Sequence, residues 1–243
     1  LGPLAETWGW QPIMHLTAVV CILAVVTVWL GYRPPPGSKT STGGRMGFHM
    51  PRRELKMVLY AGLVWTVYNL AYFSIISFGP ALLLERGLDV AAAGAAISLA
   101  SWAALPALPL GGYLADRTGR PDLVLGISCI LAAGAAALLP MTDHPYLLCA
   151  IVGLFAAAPA GLIMGRAISL MSPPHRAQGN AILYTFFYGG MGLIPSVVGW
   201  GADVTGTAAT PLYFSASALL LSVPLFLVLH AMASRLSVER AAV

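Results

Sequence analysis

Charge is what this sequence has least of. Only 9% of its 243 residues are Asp, Glu, Lys or Arg, against about 25% in an average soluble domain. With 58% of the residues hydrophobic, polar surface is too sparse to cover the apolar bulk in water, so lipid must solvate much of the chain. Cysteine is also scarce. Cys21, Cys129 and Cys149 each fall inside an apolar run; they make neither a metal-ligand spacing nor a disulfide framework, and read as small packing residues. The two lysines, Lys39 and Lys56, lie in or beside one polar stretch, which excludes a retinal pigment, whose Schiff base needs a lysine within the membrane. No Asp, Glu or His falls near the middle of an apolar run from residue 57 onward, so no proton-coupling carboxylate can be assigned there. A Walker-type phosphate loop, a nucleophile–base arrangement and a metal-ligand cluster are all missing. The expectation is a protein that is not an enzyme, takes no cofactor or metal and binds no nucleic acid.

What the chain does have is apolar length. Seven runs, about 10–32, 57–84, 90–115, 123–141, 146–171, 181–200 and 212–233, each suffice to cross a hydrocarbon core of about 30 Å as a helix. The alternation of a β-barrel is absent, which predicts an all-α membrane protein with seven transmembrane helices. Connectors are short, so successive helices are antiparallel; the exception is 33–56, which opens on three prolines and continues in Gly, Ser and Thr as a solvated linker. Alternating the spans puts Arg33, Lys39, Arg45, Arg52, Arg53, Lys56, Arg117, Arg120, Arg176, Arg235 and Arg240 on one side, with Arg166 near it and only Arg86 opposite. The positive-inside rule makes the basic side cytoplasmic. Seven spans with an outside N-terminus also describe a receptor or sensor, and that alternative stays open at this point. The abrupt start at Leu1-Gly2-Pro3 reads as a cut from a longer protein.

Between the third and fourth runs stands Gly112-x-x-x-Asp116-Arg117-x-Gly119-Arg120. Gly112 would allow close backbone approach near a helix end, and Gly119 a left-handed turn. Asp116 would cap or face a helix N-terminus, and Arg117 and Arg120 would meet acids or lipid phosphates at the surface. These residues resemble the signature loop of the major facilitator superfamily of secondary transporters, which joins the second and third helices of each six-helix half. Pro121 departs from the pattern, since another basic residue is common there. Ser172-Pro-Pro-His-Arg176-Ala-Gln-Gly179 is similar to the loop before helix eleven of that family. The residues around Trp8-Gly9-Trp10 resemble the entry to helix six, although Glu6-Thr7 stand where antiporters carry glycines.

The resemblance implies helices six to twelve of a twelve-helix transporter. Residues 1–32 would end the N-terminal half, 33–56 would be the cytoplasmic inter-half linker, 57–233 the six-helix C-terminal domain and 234–243 a cytoplasmic tail. It further implies a small-molecule solute moved by alternating access, a bilayer that is a bacterial inner membrane, and partner helices of the same chain upstream of Leu1.

Candidate solute contacts follow from periodicity. Trp65, Tyr68, Asn69, Tyr72 and Ile76 share one helical face; Asn69 is mid-span and must look away from lipid, into a pocket or onto a neighbouring helix. Tyr184, Phe187, Tyr188 and Met191 form a second stripe, of which Tyr184 and Tyr188 are candidate cavity residues, with Trp102 a lesser one. Arg166 is the strongest charge near the membrane interior. It would contact an anionic solute, an organic anion among them, or latch onto Asp116 within this half. Gly153, Gly161, Gly165, Gly189, Gly190 and Gly192, with Pro159 and Pro195, would permit tight crossings and bends in the last three spans.

Overall fold

A computed structural model describes residues 11–33 and 50–241, with the side chains of residue 13 and of 236–241 left aside. The chain divides into two units, Leu1–Phe48 and His49–Val243. In the first, α1 (Gln11–Gly31) is apolar around its whole circumference, as a helix surrounded by lipid or by other membrane helices is. The tryptophan-glycine segment at 8–10 and most of the linker lie outside the described residues.

The second unit is α2 (Arg52–Glu85), α3 (Val90–Thr118), α4 (Pro121–Leu138), α5 (Pro145–Ala157), α6 (Ala160–Ser169), α7 (Arg176–Thr205) and α8 (Thr210–Ala241), with a single 3₁₀ turn at Pro173–His175. Counting α5 and α6 as one span, and with α1 added, seven segments among the described residues are long and apolar enough to cross a membrane. No strand occurs among them. The all-α membrane architecture expected from the sequence is therefore the one observed.

Several helices outrun their apolar segments. At about 1.5 Å per residue, the 34 residues of α2 extend roughly 50 Å, well beyond the hydrocarbon thickness. α2 begins at Arg52, inside the stretch expected to be linker. The fifth span differs from the uninterrupted helix expected over 146–171, because it breaks at Ala158-Pro159. Proline has no N–H to offer the carbonyl of Phe155 and its ring crowds the preceding turn, so the ladder stops there and restarts at Ala160.

In contact order the bundle runs α3, α5, α4, α8, α2, α7, with α3 returning to α2. Its interior is built largely from Ala, Leu and Val, including Ala61 and Ile75 of α2, Ala132 of α4, Val152 of α5 and Phe226 of α8. Lipid is as apolar as these side chains, so close packing rather than escape from water holds such helices together. Small residues make it possible. A Cβ at Gly153 would run into the backbone carbonyl of Ala100, and one at Gly111 into that of Ala158, so α3 and the fifth span touch backbone to backbone both before the break and at it. Cys129 and Cys149 are free, buried thiols of this core.

Polar tethers close the two ends. At the end where α2 finishes, Arg86 donates to the carbonyls of Leu139 (2.9 Å) and Thr142 (2.5 Å) and pairs with Asp143 at 2.9 Å. Its neighbour Glu85 accepts the Ala208 amide at 2.9 Å. The connectors before α5 and before α8 are thus both tied to the last turn of α2. The opposite end carries the turn between α3 and α4, and there His230 of α8 lies 2.9 Å from Asp122 of α4, aligned too obliquely for a hydrogen bond.

Candidate functional site: the signature turn and the aromatic face

Gly112 to Thr118 form the last two turns of α3, and only Gly119 and Arg120 lie between helices. Gly119 caps α3 at φ 65°, its amide donating to the Ala115 carbonyl at 2.9 Å. This left-handed conformation is the one that a residue without Cβ adopts freely. Pro121 opens α4 at a position where its missing N–H costs nothing. Glycine stop and proline start reverse the chain in two residues.

The roles of the individual residues divide differently from the sequence expectation. Nothing lies within 4 Å of a Cβ built on Gly112, and the close approach within this domain belongs to its neighbour Gly111. Arg117 donates to the Tyr113 hydroxyl at 2.8 Å and stands over that ring, 6.0 Å from its centroid. The Arg120 amide reaches the Thr118 hydroxyl at 3.4 Å. Asp116 is exposed, and among the described residues it makes no ion pair with Arg166.

The two charges nevertheless share a place. A cavity of about 600 Å³ is lined by Gly112, Ala115, Asp116, Gly119 and Pro121 from the turn and by Gly161, Leu162, Gly165 and Arg166 from α6. Four of these nine residues are glycine, which leaves the floor of the cavity as backbone and its only charges as one carboxylate and one guanidinium. Such a surface can accept a helix end or a small charged group.

Nearer mid-span, α2 and α7 meet through their aromatic rows. Trp65 lies 6.1 Å from Tyr68 and 6.3 Å from Phe187, centroid to centroid; Phe187 in turn contacts Tyr188 at 4.9 Å, and Tyr184 stacks on Tyr188 at 6.1 Å. Burial separates the members of each row. Trp65, Asn69 and Tyr72 are half-buried, while Tyr184 and Tyr188 are exposed and Phe187 is buried. The Asn69 amide donates to the Trp65 carbonyl at 2.8 Å on its own helix. Tyr72 packs beside Ala104, Ala107 and Ala157, close to the break in the fifth span.

Tyr68 stands apart from the other candidates. It is 2% exposed, and its hydroxyl donates to the Ala156 carbonyl. That carbonyl lies on the turn where the helix breaks, so the phenol supplies a hydrogen bond in an interior where no water can. Here Tyr68 is a packing residue of the break.

Sequence reasoning missed one cluster altogether. Glu54, in the first turn of α2, is buried and accepts from the Ser172 amide (2.6 Å), the Ser172 hydroxyl (2.9 Å) and His175 Nδ1 (2.8 Å). In the sequence Glu54 stands among Arg52, Arg53 and Lys56, with no local acceptor or donor pattern to mark it. Its partners lie 118 and 121 positions downstream, beyond the reach of any local pattern.

A family model described as Major Facilitator Superfamily matches residues 64–241, from within α2 to the end of α8. No curated protein matches the chain.

Proposed function

Because this chain belongs to the major facilitator superfamily and is an integral membrane protein of a transporter family, we propose that it moves a small solute by alternating access. On this reading α2 to α8 are the second six-helix half of a twelve-helix bundle, α1 closes the first half, and the remaining helices lie upstream of Leu1. On the same reading the side carrying the α3–α4 turn, the linker and the C-terminus faces the cytoplasm, which the excess of basic residues on that side supports, and the bilayer is a bacterial inner membrane. The solute would pass along Trp65, Asn69, Tyr72, Tyr184 and Tyr188, whose aromatic faces and single amide suit a small organic molecule. Arg166 would favour an anion.

The observation that carries this reading is the cavity shared by Asp116 and Arg166. A turn of glycine, aspartate and arginine that folds back only two residues long, and opens on a charged pocket at the membrane surface, gives a rocking half something to release and re-engage. The test is solute flux in vesicles of the full-length protein at matched expression, with the solute found by a broad uptake screen. Asp116→Asn is expected to lower flux about tenfold, the scale of an ordinary coupling between sites. Unchanged flux would remove the gating role. Exchanging the charges, Asp116→Arg with Arg166→Asp, should recover part of what either single change loses; no recovery would leave Arg166 to the solute rather than to a latch.

A further inference from the structure

The Glu54 cluster is placed where a transporter of this design would need a fastening, and its chemistry makes the fastening responsive to protons. Glu54 is 7% exposed. Both its oxygens are occupied by groups from one short stretch, the 3₁₀ turn that joins the fifth span to α7: Oε1 by the amide and hydroxyl of Ser172, Oε2 by His175 Nδ1. The Ser172 hydroxyl also lies 2.9 Å from His175 Nδ1. A carboxylate only accepts, so the contact at 2.8 Å requires a proton on Nδ1. A neutral ring then carries its free lone pair on Nε2, which makes no hydrogen bond among the described residues, and the imidazole keeps a quarter of its surface exposed. A proton added at Nε2 breaks nothing already formed. It converts a hydrogen bond to a carboxylate into an ion pair with the same geometry.

We propose that Glu54, Ser172 and His175 form a pH-responsive latch, in which protonation of His175 tightens the hold of the α6–α7 connector on the first turn of α2. The other charged groups and histidines with described side chains at this end of the bundle are Arg52, Arg53 and Lys56 on α2, Asp116, Arg117 and Arg120 where α3 ends, Asp122 on α4, Arg166 on α6, Arg176 on α7, and His230 and Arg235 on α8. Asp122, Arg166 and His230 are half-buried, His230 lying 2.9 Å from Asp122; the rest are exposed and screened by water and salt, whereas Glu54 touches the His175 ring. Histidine is the side chain that ordinarily changes charge between pH 5 and 8. The latch therefore holds more firmly in acid and loosens as the pH rises. If this end is cytoplasmic, as in the transport reading on which the physiological sense rests, acidification of the cytoplasm would stiffen the base of α2 against the start of α7.

The Ser172 amide is itself part of the latch, so its hydrogen exchange reads the device directly and needs no solute. Protection factors, corrected for intrinsic exchange, would be measured at pH 6 and pH 8 for the peptide covering 170–178 in the full-length protein in lipid nanodiscs. Protection in the unmodified protein should fall about fivefold from pH 6 to pH 8, the factor for about 1 kcal/mol. His175→Gln, at a partly exposed position, should flatten that dependence. Glu54→Gln should lower protection at both pH values; should that variant not insert, the histidine variant decides alone. No change with pH in the unmodified protein, or the same change in His175→Gln, overturns the proposal. A failure of solute flux leaves these protection factors untouched, so the two readings fail separately.

Discussion

Gly111 and Gly112 are chain neighbours with opposite surroundings. The first faces the Ala158 backbone with no room for a methyl group, and the second faces the open cavity beside Asp116 and Arg166. Gly111→Ala should therefore destabilise the six-helix domain by about 1–3 kcal/mol through overpacking, visible as a lowered melting temperature of the full-length protein in detergent. Gly112→Ala should leave that melting temperature within the effect of a surface change, about 0.5 kcal/mol. If it also abolishes flux, the lost contact must come from something that enters the cavity. Equal destabilisation by both would contradict the packing described. The signature was plain in the sequence, but which glycine carries the close approach was not. Both lie in one helical run, and only the rotation of α3 against the fifth span tells them apart. Tyr68 is a similar case. Its spacing places it with Trp65 and Tyr72, yet the carbonyl it serves lies 88 positions along the chain, on the turn before the break.

The elements themselves could largely be read from apolar length. The seven expected runs correspond to the seven observed spans, since a backbone in lipid must satisfy its own hydrogen bonds and helices are the local way to do so. What apolar length cannot show is the break at Ala158-Pro159. Proline within a membrane helix is tolerated, and α2, α3, α7 and α8 pass through Pro80, Pro106, Pro109, Pro195 and Pro224 without interruption. At Pro159 the missing N–H acts together with surroundings that accommodate a stop, Tyr68 supplying the Ala156 carbonyl and Gly111 admitting that of Ala158. Pro159→Ala restores the missing N–H. It should join α5 and α6 into one helix and slow amide exchange at 158–163 several-fold, about the worth of one recovered hydrogen bond of roughly 1 kcal/mol. If exchange there does not slow, proline is not what interrupts the span. A fall in flux in the same variant would tie the break to the transport cycle.

At the scale of the whole molecule, family membership sets the type of machine, and the proposed orientation rests on the distribution of basic residues. If the α3–α4 turn is cytoplasmic, a cysteine replacing Arg120 should react with an impermeant maleimide only after the membrane is opened, and one replacing Thr207 should react in intact cells. Replacing Cys21, Cys129 and Cys149 by alanine beforehand, with any cysteine upstream of Leu1, removes the background. The reverse pattern would invert the topology and, with it, the assignment of the linker and of the Glu54 cluster to the cytoplasmic face.

α2 is held at both of its ends, through Glu54 at one surface and through Glu85 and Arg86 at the other. A rod fixed at a single point swivels, whereas one fixed at two can only shift along its length or bow. Bowing concentrates where the ladder is weakest, and Pro80 leaves the Ile76 carbonyl without its helical partner. The compliant point of this rod thus falls one turn beyond Tyr72, at the outer margin of the aromatic face. A push delivered to either surface would be felt there first, as a change in the spacing between the aromatic rows of α2 and α7.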